Sequence, residues 1–518
     1  NPQTNAWVVD NNQFSEGAIQ EGSGGNAASQ NMIKTRGIML QSTMIDDRIV
    51  FTGGRRHDDN YVRFARNAVL LPNGYSFDYN AMNGWVSDTS AIGLSDGDGL
   101  WNYRQGDTNQ KGVVLKPFRG WPALDRVANS GGAAGFFAGM LTGLNINYNK
   151  SDSFLPEVPA VSVNLEQLPN PTSEGKDYGF SLSFWNNKVV LRANRWVNKS
   201  INTRAGQFGT FGQRVLRLDF ENFAGNNDNF SLQKQARLWV AAANPAFTPA
   251  QVDTAVFALM GVTPEQAFAL NNSTIGETQD QTGKGDELEI NFNPDNFWTF
   301  KMNVSKTESI DANVAPHIPG WIVQRQPVWN SIIDPRSGTP WFTTLYNATG
   351  PVTTGGSNAA NFLQGNVVSG VQLGQATQGK SRPEIRKWHI NLASSVRLGK
   401  YFENRYLKNV TVGGGIRYES KIGIGYYGIP VGGDIAAATA FDANRPVYDK
   451  ANTYVDAFVS YNMRMFHDKV RARFQLNGRN LQDSNTRLAP VSAYADGSPN
   501  TFRIVDPRTF VLTASFDL

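Results

Sequence analysis

The chain of 518 residues has no cysteine, only four histidines, and charged side chains at no more than 18% of its positions. Without thiols there is neither a disulfide framework nor a thiolate metal site. The histidines His57, His317, His389 and His467 are widely scattered, and none has a second ligand at metal-binding spacing. There is no P-loop, no nucleophile elbow and no dinucleotide-type glycine motif following a strand. Enzyme chemistry therefore has no constellation to carry it, and no cofactor is implied. A formal charge of +4 with no dense Lys/Arg tract gives nucleic-acid binding no support. The residues after Asn1 include no initiating methionine, basic n-region or apolar h-region, so a signal has been removed or the start is missing. Also missing is any apolar run near the ~18 residues a membrane helix needs. The best, GFFAGML at Gly135 to Leu141, is far too short.

What the chain does have is 50 glycines, 11% aromatics and strict two-residue alternation. The alternating segments approach the roughly nine to eleven residues that a tilted strand needs to cross a bilayer. Leu144, Ile146 and Tyr148 share one face, and Asn145, Asn147 and Asn149 the other. Tyr178, Phe180, Leu182 and Phe184 oppose Gly179, Ser181 and Ser183; after Asn186-Asn187 the residues Val189, Leu191 and Ala193 oppose Arg192 and Asn194. The same split recurs at Leu288 to Phe292, Trp298 to Val304, Trp388 to Val396, Val410 to Tyr418, Val455 to Met463, Val470 to Leu476 and Phe510 to Leu518. With runs near Gly37 to Met44, Arg48 to Arg56 and Lys111 to Pro117, about thirteen strands are predicted.

Backbone polar groups in lipid must be paired internally, and apart from helices only a closed barrel achieves this. The fold class read from the pattern is all-β, an antiparallel transmembrane β-barrel over residues 36–518, with 1–35 as a loop or the end of a preceding strand. Short turns alternate with long polar connections at 58–108, 151–175, 200–283, 308–384, 420–452 and 479–507. Outer-membrane barrels show that asymmetry, with the long loops outside. The connection Phe118 to Thr142 breaks it, being unusually long for the turn side. Within 200–283, Thr248-Pro249 and Thr263-Pro264, with Gly261 between, predict a small helical hairpin.

Candidate ligand contacts are the loop aromatics Trp85, Trp101, Tyr103, Trp321, Trp329, Trp341 and Tyr346. Such rings stack on sugars or planar chelates, or else pack loop against loop. Arg192, Arg397, Arg417, Arg471 and Arg473 fall on the polar face, where they would attract an anion or pair with lumen carboxylates. Asp96 and Asp98 in Ser95-Asp96-Gly97-Asp98-Gly99 are a partial cation loop or an ordinary polar turn.

Several stretches resemble one family. NKSDSFLP, LPNPTSEGKDYGFSLSFWNNKVVLRANRW, GDELEINFNPDNFWTFKMNVSKT, VRARFQLNGRNLQDSN and RTFVLTASFDL, in that order, are similar to the C-terminal barrel of TonB-dependent outer-membrane receptors. Asp177 stands where that family usually has a glutamate, and the chain closes on Leu518 instead of an aromatic. The resemblance covers most of the sequence from about Met32. It implies the last thirteen or so strands of a twenty-two-stranded barrel, with the plug domain and first strands outside this chain or supplied by a second polypeptide. It also implies a Gram-negative outer-membrane location in lipid, and a final strand, carrying Phe510, Leu512, Phe516 and Leu518, read by the barrel-insertion machinery. The function implied is TonB-energised uptake of an extracellular siderophore, cobalamin or oligosaccharide. A passive porin and a structural or adhesive surface protein fit the same strands.

Overall fold

The computed structural model describes residues 29–64, 69–70, 77–78, 101–154, 157, 160–204, 206–467, 469–482 and 488–517. The chain divides into two units, residues 1–34 with 59–104 and residues 35–58 with 105–518. Trp85, Asp96, Asp98 and Leu518 lie outside the described residues.

Among the described residues, thirteen long strands form one sheet in chain order. They are β1 (Ser29–Met44), β2 (Ile49–Phe64), β3 (Asn102–Leu115), β4 (Asn145–Phe154) and β5 (Thr172–Phe184). Then follow β6 (Val189–Arg204), β7 (Thr278–Phe292), β8 (Trp298–Ala312) and β9 (Trp388–Arg397). The last are β10 (Val410–Glu419), β11 (Asn452–Met465), β12 (Val470–Arg479) and β13 (Thr509–Asp517). Every pairing from β3 to β13 is antiparallel. The strand count and order are those the alternation predicts. The first strand begins at Ser29, so the expected boundary at residue 35 falls inside it.

Register carries the apolar residues of each strand onto one face, because side chains repeat every two residues. Leu182, Leu191, Ile290, Met302, Leu392, Ile416 and Val455 stand successively opposite one another from β5 to β11. Two residues toward the loops, Ile146, Phe180, Ala193, Leu288, Val304, Ile390 and Tyr418 form a second such row. Ile146, Phe180, Ile416 and Val459 are exposed on this face. An extended exposed apolar surface is the mark of a surface that meets something other than water.

The turns on one edge are tight. Trp185, Asn186 and Asn187 all take positive φ between β5 and β6, which suits the two asparagines. Between β7 and β8, Asp295 Oδ1 accepts hydrogen bonds from the backbone N–H of Phe297 and Trp298. Two connections on this edge are longer: that from β3 to β4 folds as two helices, α1 (Pro122–Ala128) and α2 (Gly132–Thr142), and that from β9 to β10 runs from Leu398 to Asn409 with a 3-10 turn at each end.

On the other edge the strands run past the predicted loop limits. β2 reaches Phe64, β6 reaches Arg204, and β8 reaches Ala312. Beyond the apolar rows both faces are polar, so the alternation fades while the ladder continues. The long connections then form α3 (Gly206–Leu216), α4 (Leu232–Ala243), α5 (Pro249–Met260), α6 (Pro264–Asn272), α7 (Ile318–Ser331), α8 (Ala359–Leu363) and α9 (Ser369–Ala376). The expected helical hairpin is α5 and α6. Thr248 and Thr263 each close a capping box with Gln251 and Gln266, and Gly261 ends α5 at φ 63°.

Candidate functional site

The connections β4–β5, β6–β7 and β8–β9 share one apolar core, running from Val161 and Val163 through Phe208, Leu216, Leu232 and Met260 to Trp329, Trp341 and Val371. A buried ion pair joins the second to the third of these connections. Arg325 Nη2 donates to Asp219 Oδ1 at 2.6 Å and its Nε to Oδ2 at 3.2 Å, while its Nη1 donates to the Met260 carbonyl at 2.9 Å. The indole N–H of Trp329 also donates to Asp219 Oδ1, at 2.9 Å. Pairing on this scale satisfies charges that burial alone would make prohibitive.

A second polar knot surrounds Asp334. Arg336 Nη2 donates to Asp334 Oδ2 at 2.7 Å and to Gln235 Oε1 at 2.6 Å, and the Tyr346 hydroxyl donates to Asp334 Oδ2 at 3.1 Å. Burial raises the Asp334 carboxyl, but the Arg336 side chain and backbone N–H outweigh it and hold the group below the usual range. Burial, then the Asp334 charge, pushes the Tyr346 phenol well up. A third link is His317. Its Nδ1 lies 3.1 Å from Glu277 Oε2, and its Nε2 lies 3.6 Å from Glu166 Oε2.

Trp321, Trp329, Trp341 and Tyr346 thus lie inside the loop core, where their surfaces are covered by the chain itself. Trp341 donates its indole N–H to the Phe230 carbonyl, and Trp329 stacks on Phe342 at 5.8 Å. In this structure they pack loop on loop. Trp101 and Tyr103 lie in the other unit, around Tyr61: Tyr103 is 5.0 Å and Trp101 6.3 Å from its ring, and Arg63 covers Trp101 at 4.4 Å. The Tyr103 hydroxyl donates to Asp59 at 2.6 Å.

The five arginines sit on the polar face of the sheet. Arg192 pairs with Glu289 at 3.4 Å and Arg417 with Asp456 at 3.6 Å across neighbouring strands. Arg473 donates to Gln475 at 2.5 Å, Arg471 stands opposite Arg464 and Asp517, and Arg397 is exposed. Phe510, Leu512 and Phe516 share one exposed face of β13.

Sequence reasoning singled out none of the residues around one cavity on the loop side. This space of about 480 Å³ is walled by Phe208, Asp311, α9, residues 380–384, Tyr426 and Tyr448. Gly370 and Gly374 shape it by letting α9 lie directly on Phe211 and Phe208; a Cβ at Gly370 would stand 2.4 Å from the Phe211 ring. Lys380 Nζ donates to Asn444 Oδ1 at 2.8 Å, Arg382 pairs with Asp311, and Lys421 sits 3.9 Å over the Tyr448 ring. Asp311 Oδ1 is buried with no protein partner. Burial, then the neighbouring Glu384 charge, raises the Tyr426 phenol, so it stays neutral and able to donate. Two cations, two carboxylates and two phenol rings converge on one concave space, which suits recognition of a polar molecule. The residues come from three separate connections and the end of β8, so no local motif announces them.

No protein-family model matches the chain, nor does any curated protein sequence. Solved structures similar to it include the closed form of the ferric-catecholate import receptor Fiu from E. coli K12, at 12% identity and a TM-score of 0.43, covering 94% of this chain and 45% of that one. The siderophore receptor PiuA from Acinetobacter baumannii is 13% identical at a TM-score of 0.43, covering 94% and 43%. The ferric preacinetobactin receptor BauA from Acinetobacter baumannii is 11% identical at 0.45, covering 95% and 44%. The chain spans less than half the length of each. At these TM-scores the likenesses assign neither family nor ligand.

Proposed function

We propose that this chain is the membrane-spanning β portion of a Gram-negative outer-membrane uptake receptor, and that its ligand enters through the loop-side cavity beside Lys380, Arg382, Tyr426 and Tyr448. One observation carries the reading. The sheet has a continuous exposed apolar face bounded on one edge by tight turns and on the other by long connections that fold into a core and wall a charged, aromatic cavity. A sheet in water does not leave such a face uncovered, whereas lipid requires one. Closure into a barrel, completed by further strands, then satisfies the sheet edges. The sequence resemblance described above adds the energetics: passage is driven by TonB acting on a plug domain. The ligand class proposed is a siderophore, cobalamin or an oligosaccharide, and the cavity's balanced charges and phenol rings favour one bearing several polar groups.

The test is accumulation of a radiolabelled ferric siderophore, cobalamin and a linear oligosaccharide by cells producing the complete protein, with and without TonB. The expected result is uptake of one of them that ceases when TonB is removed. Uptake that persists without TonB would establish a passive porin. Accumulation of none, with copurification of a stoichiometric surface partner, would establish a structural or adhesive protein.

A further inference from the structure

Among the described residues of the turn edge, the β3–β4 connection is where the chain builds α-helices, and what it builds is apolar and exposed. α2 contains no charged residue. Trp121 and Phe137 are 52% and 63% exposed, and Val127, Phe136 and Leu141 are exposed with them. A helix pair that faced water would bury these groups against each other; here the helices meet through Gly135, where a Cβ would come 3.2 Å from the Val127 carbonyl oxygen. That close approach turns the large side chains outward.

Where they point follows from their neighbours. Phe136 meets the ring of Phe184 edge-on at 5.4 Å, and Phe184 is the last residue on the apolar face of β5. Ser183 donates its backbone N–H to the Gly143 carbonyl, which ties the end of α2 to the same strand. At the next turn exposed Trp185 stacks on Phe292 at 6.0 Å, and Phe292 meets Trp298 at 5.3 Å. The aromatics of the helix pair therefore continue, at one level, the row that rims the apolar face. At its base Arg48 Nε donates to the Arg119 carbonyl at 2.8 Å, and Arg119 lies 3.7 Å from Asp47.

We propose that α1 and α2 form an interfacial anchor, lying in the boundary between headgroups and acyl chains of the turn-side leaflet, with a phospholipid surface as the partner. This inference rests on the membrane-spanning reading of the sheet. Aromatic rings with an apolar body are stabilised at that boundary, and an uncharged apolar helix beside cationic arginines is suited to lie along it. Continuity with the lipid-facing side of β5 is what selects lipid over a protein partner.

This chain has no cysteine, so once any cysteine elsewhere in the complete protein is replaced, a single introduced one reports from one place. Phe137→Cys and, separately, Ile146→Cys on the apolar face of β4 are labelled with a polarity-sensitive fluorophore. The complete protein is placed in phosphatidylethanolamine/phosphatidylglycerol vesicles carrying spin labels on the acyl chains near the headgroup, or near the chain end. The expected result is blue-shifted emission at both sites, with Phe137→Cys losing most of its signal to the shallow spin label and little to aqueous iodide. Quenching of Phe137→Cys by iodide, or protection from both quenchers as under a protein partner, while Ile146→Cys remains quenched from lipid, would overturn the anchor and leave the spanning sheet standing. Iodide quenching at both sites would overturn both.

Discussion

Replacing Arg325 by methionine removes the partner of a carboxylate that has no solvent exposure, and leaves only the Trp329 indole N–H donating to it. Three donated hydrogen bonds are lost together, two to Asp219 and one to the Met260 carbonyl. Breaking one side of a buried ion pair costs about 3–5 kcal/mol, most of it the desolvation of the charge left behind. The damage should stay in the loop core, because the strands keep their own ladder. Backbone amides of α4, α5 and α7 should then exchange with solvent faster by about a hundredfold to a few thousandfold, at about 1.4 kcal/mol per tenfold, while those of β7 and β8 are unchanged. The double variant Arg325→Met with Asp219→Leu removes the stranded charge as well, so it should recover much of the loss. Hydrogen exchange read by mass spectrometry separates these segments. A single variant with less than about tenfold acceleration, or a double variant no better than the single, would refute the view that this pair clasps the two connections.

Three further outcomes are expected. The hydrogen bond to Glu277 raises the His317 pKa despite opposing burial, with the Glu277 and Glu166 charges adding to the rise. The folded-state value therefore lies above the unfolded one, so its contribution to loop-core stability is complete below about pH 6.5 and disappears as pH rises through the folded value. His317→Gln should flatten that dependence in thermal unfolding of the loop core, and an unchanged pH profile would remove His317 from the account. Thr248→Ala and Thr263→Ala each delete a capping-box acceptor and should cost about 1 kcal/mol apiece, visible as faster exchange in the first turn of α5 or α6 alone. Gly370→Ala places a methyl against the Phe211 ring and should cost about 1–3 kcal/mol by overpacking, with α9 displaced and the cavity reshaped; full native exchange of α9 would contradict this.

Strand identity and facing were legible because an apolar and a polar side impose opposite demands on successive residues, and Leu144 to Lys150 or Val470 to Asn477 record that demand two by two. The asparagine turn at Asn186-Asn187 and the two Thr-Pro helix starts were legible for local reasons, a positive φ and a cap. The alternation stopped short of the strand ends, because above the apolar rows nothing distinguishes the two faces. Tyr346, Trp329 and Trp341 carried no mark of their burial, since an aromatic in a long loop reads alike whether it meets ligand or core. The helix pair at 122–142 was visible only as an unexplained length, because its apolar runs are too short to show a period.

The residue order alone thus determined a mostly β antiparallel chain with about thirteen long strands, which face is apolar, and which connections are long. Tertiary structure decided that three of those connections share one core clasped by Asp219 and Arg325, that the cavity is walled by Lys380, Arg382, Tyr426 and Tyr448, and that the exposed aromatics of α2 adjoin Phe184. The division has a physical cause. Alternation is written between neighbours in sequence, whereas the clasp joins residues more than a hundred positions apart, and nothing local to either one anticipates the other.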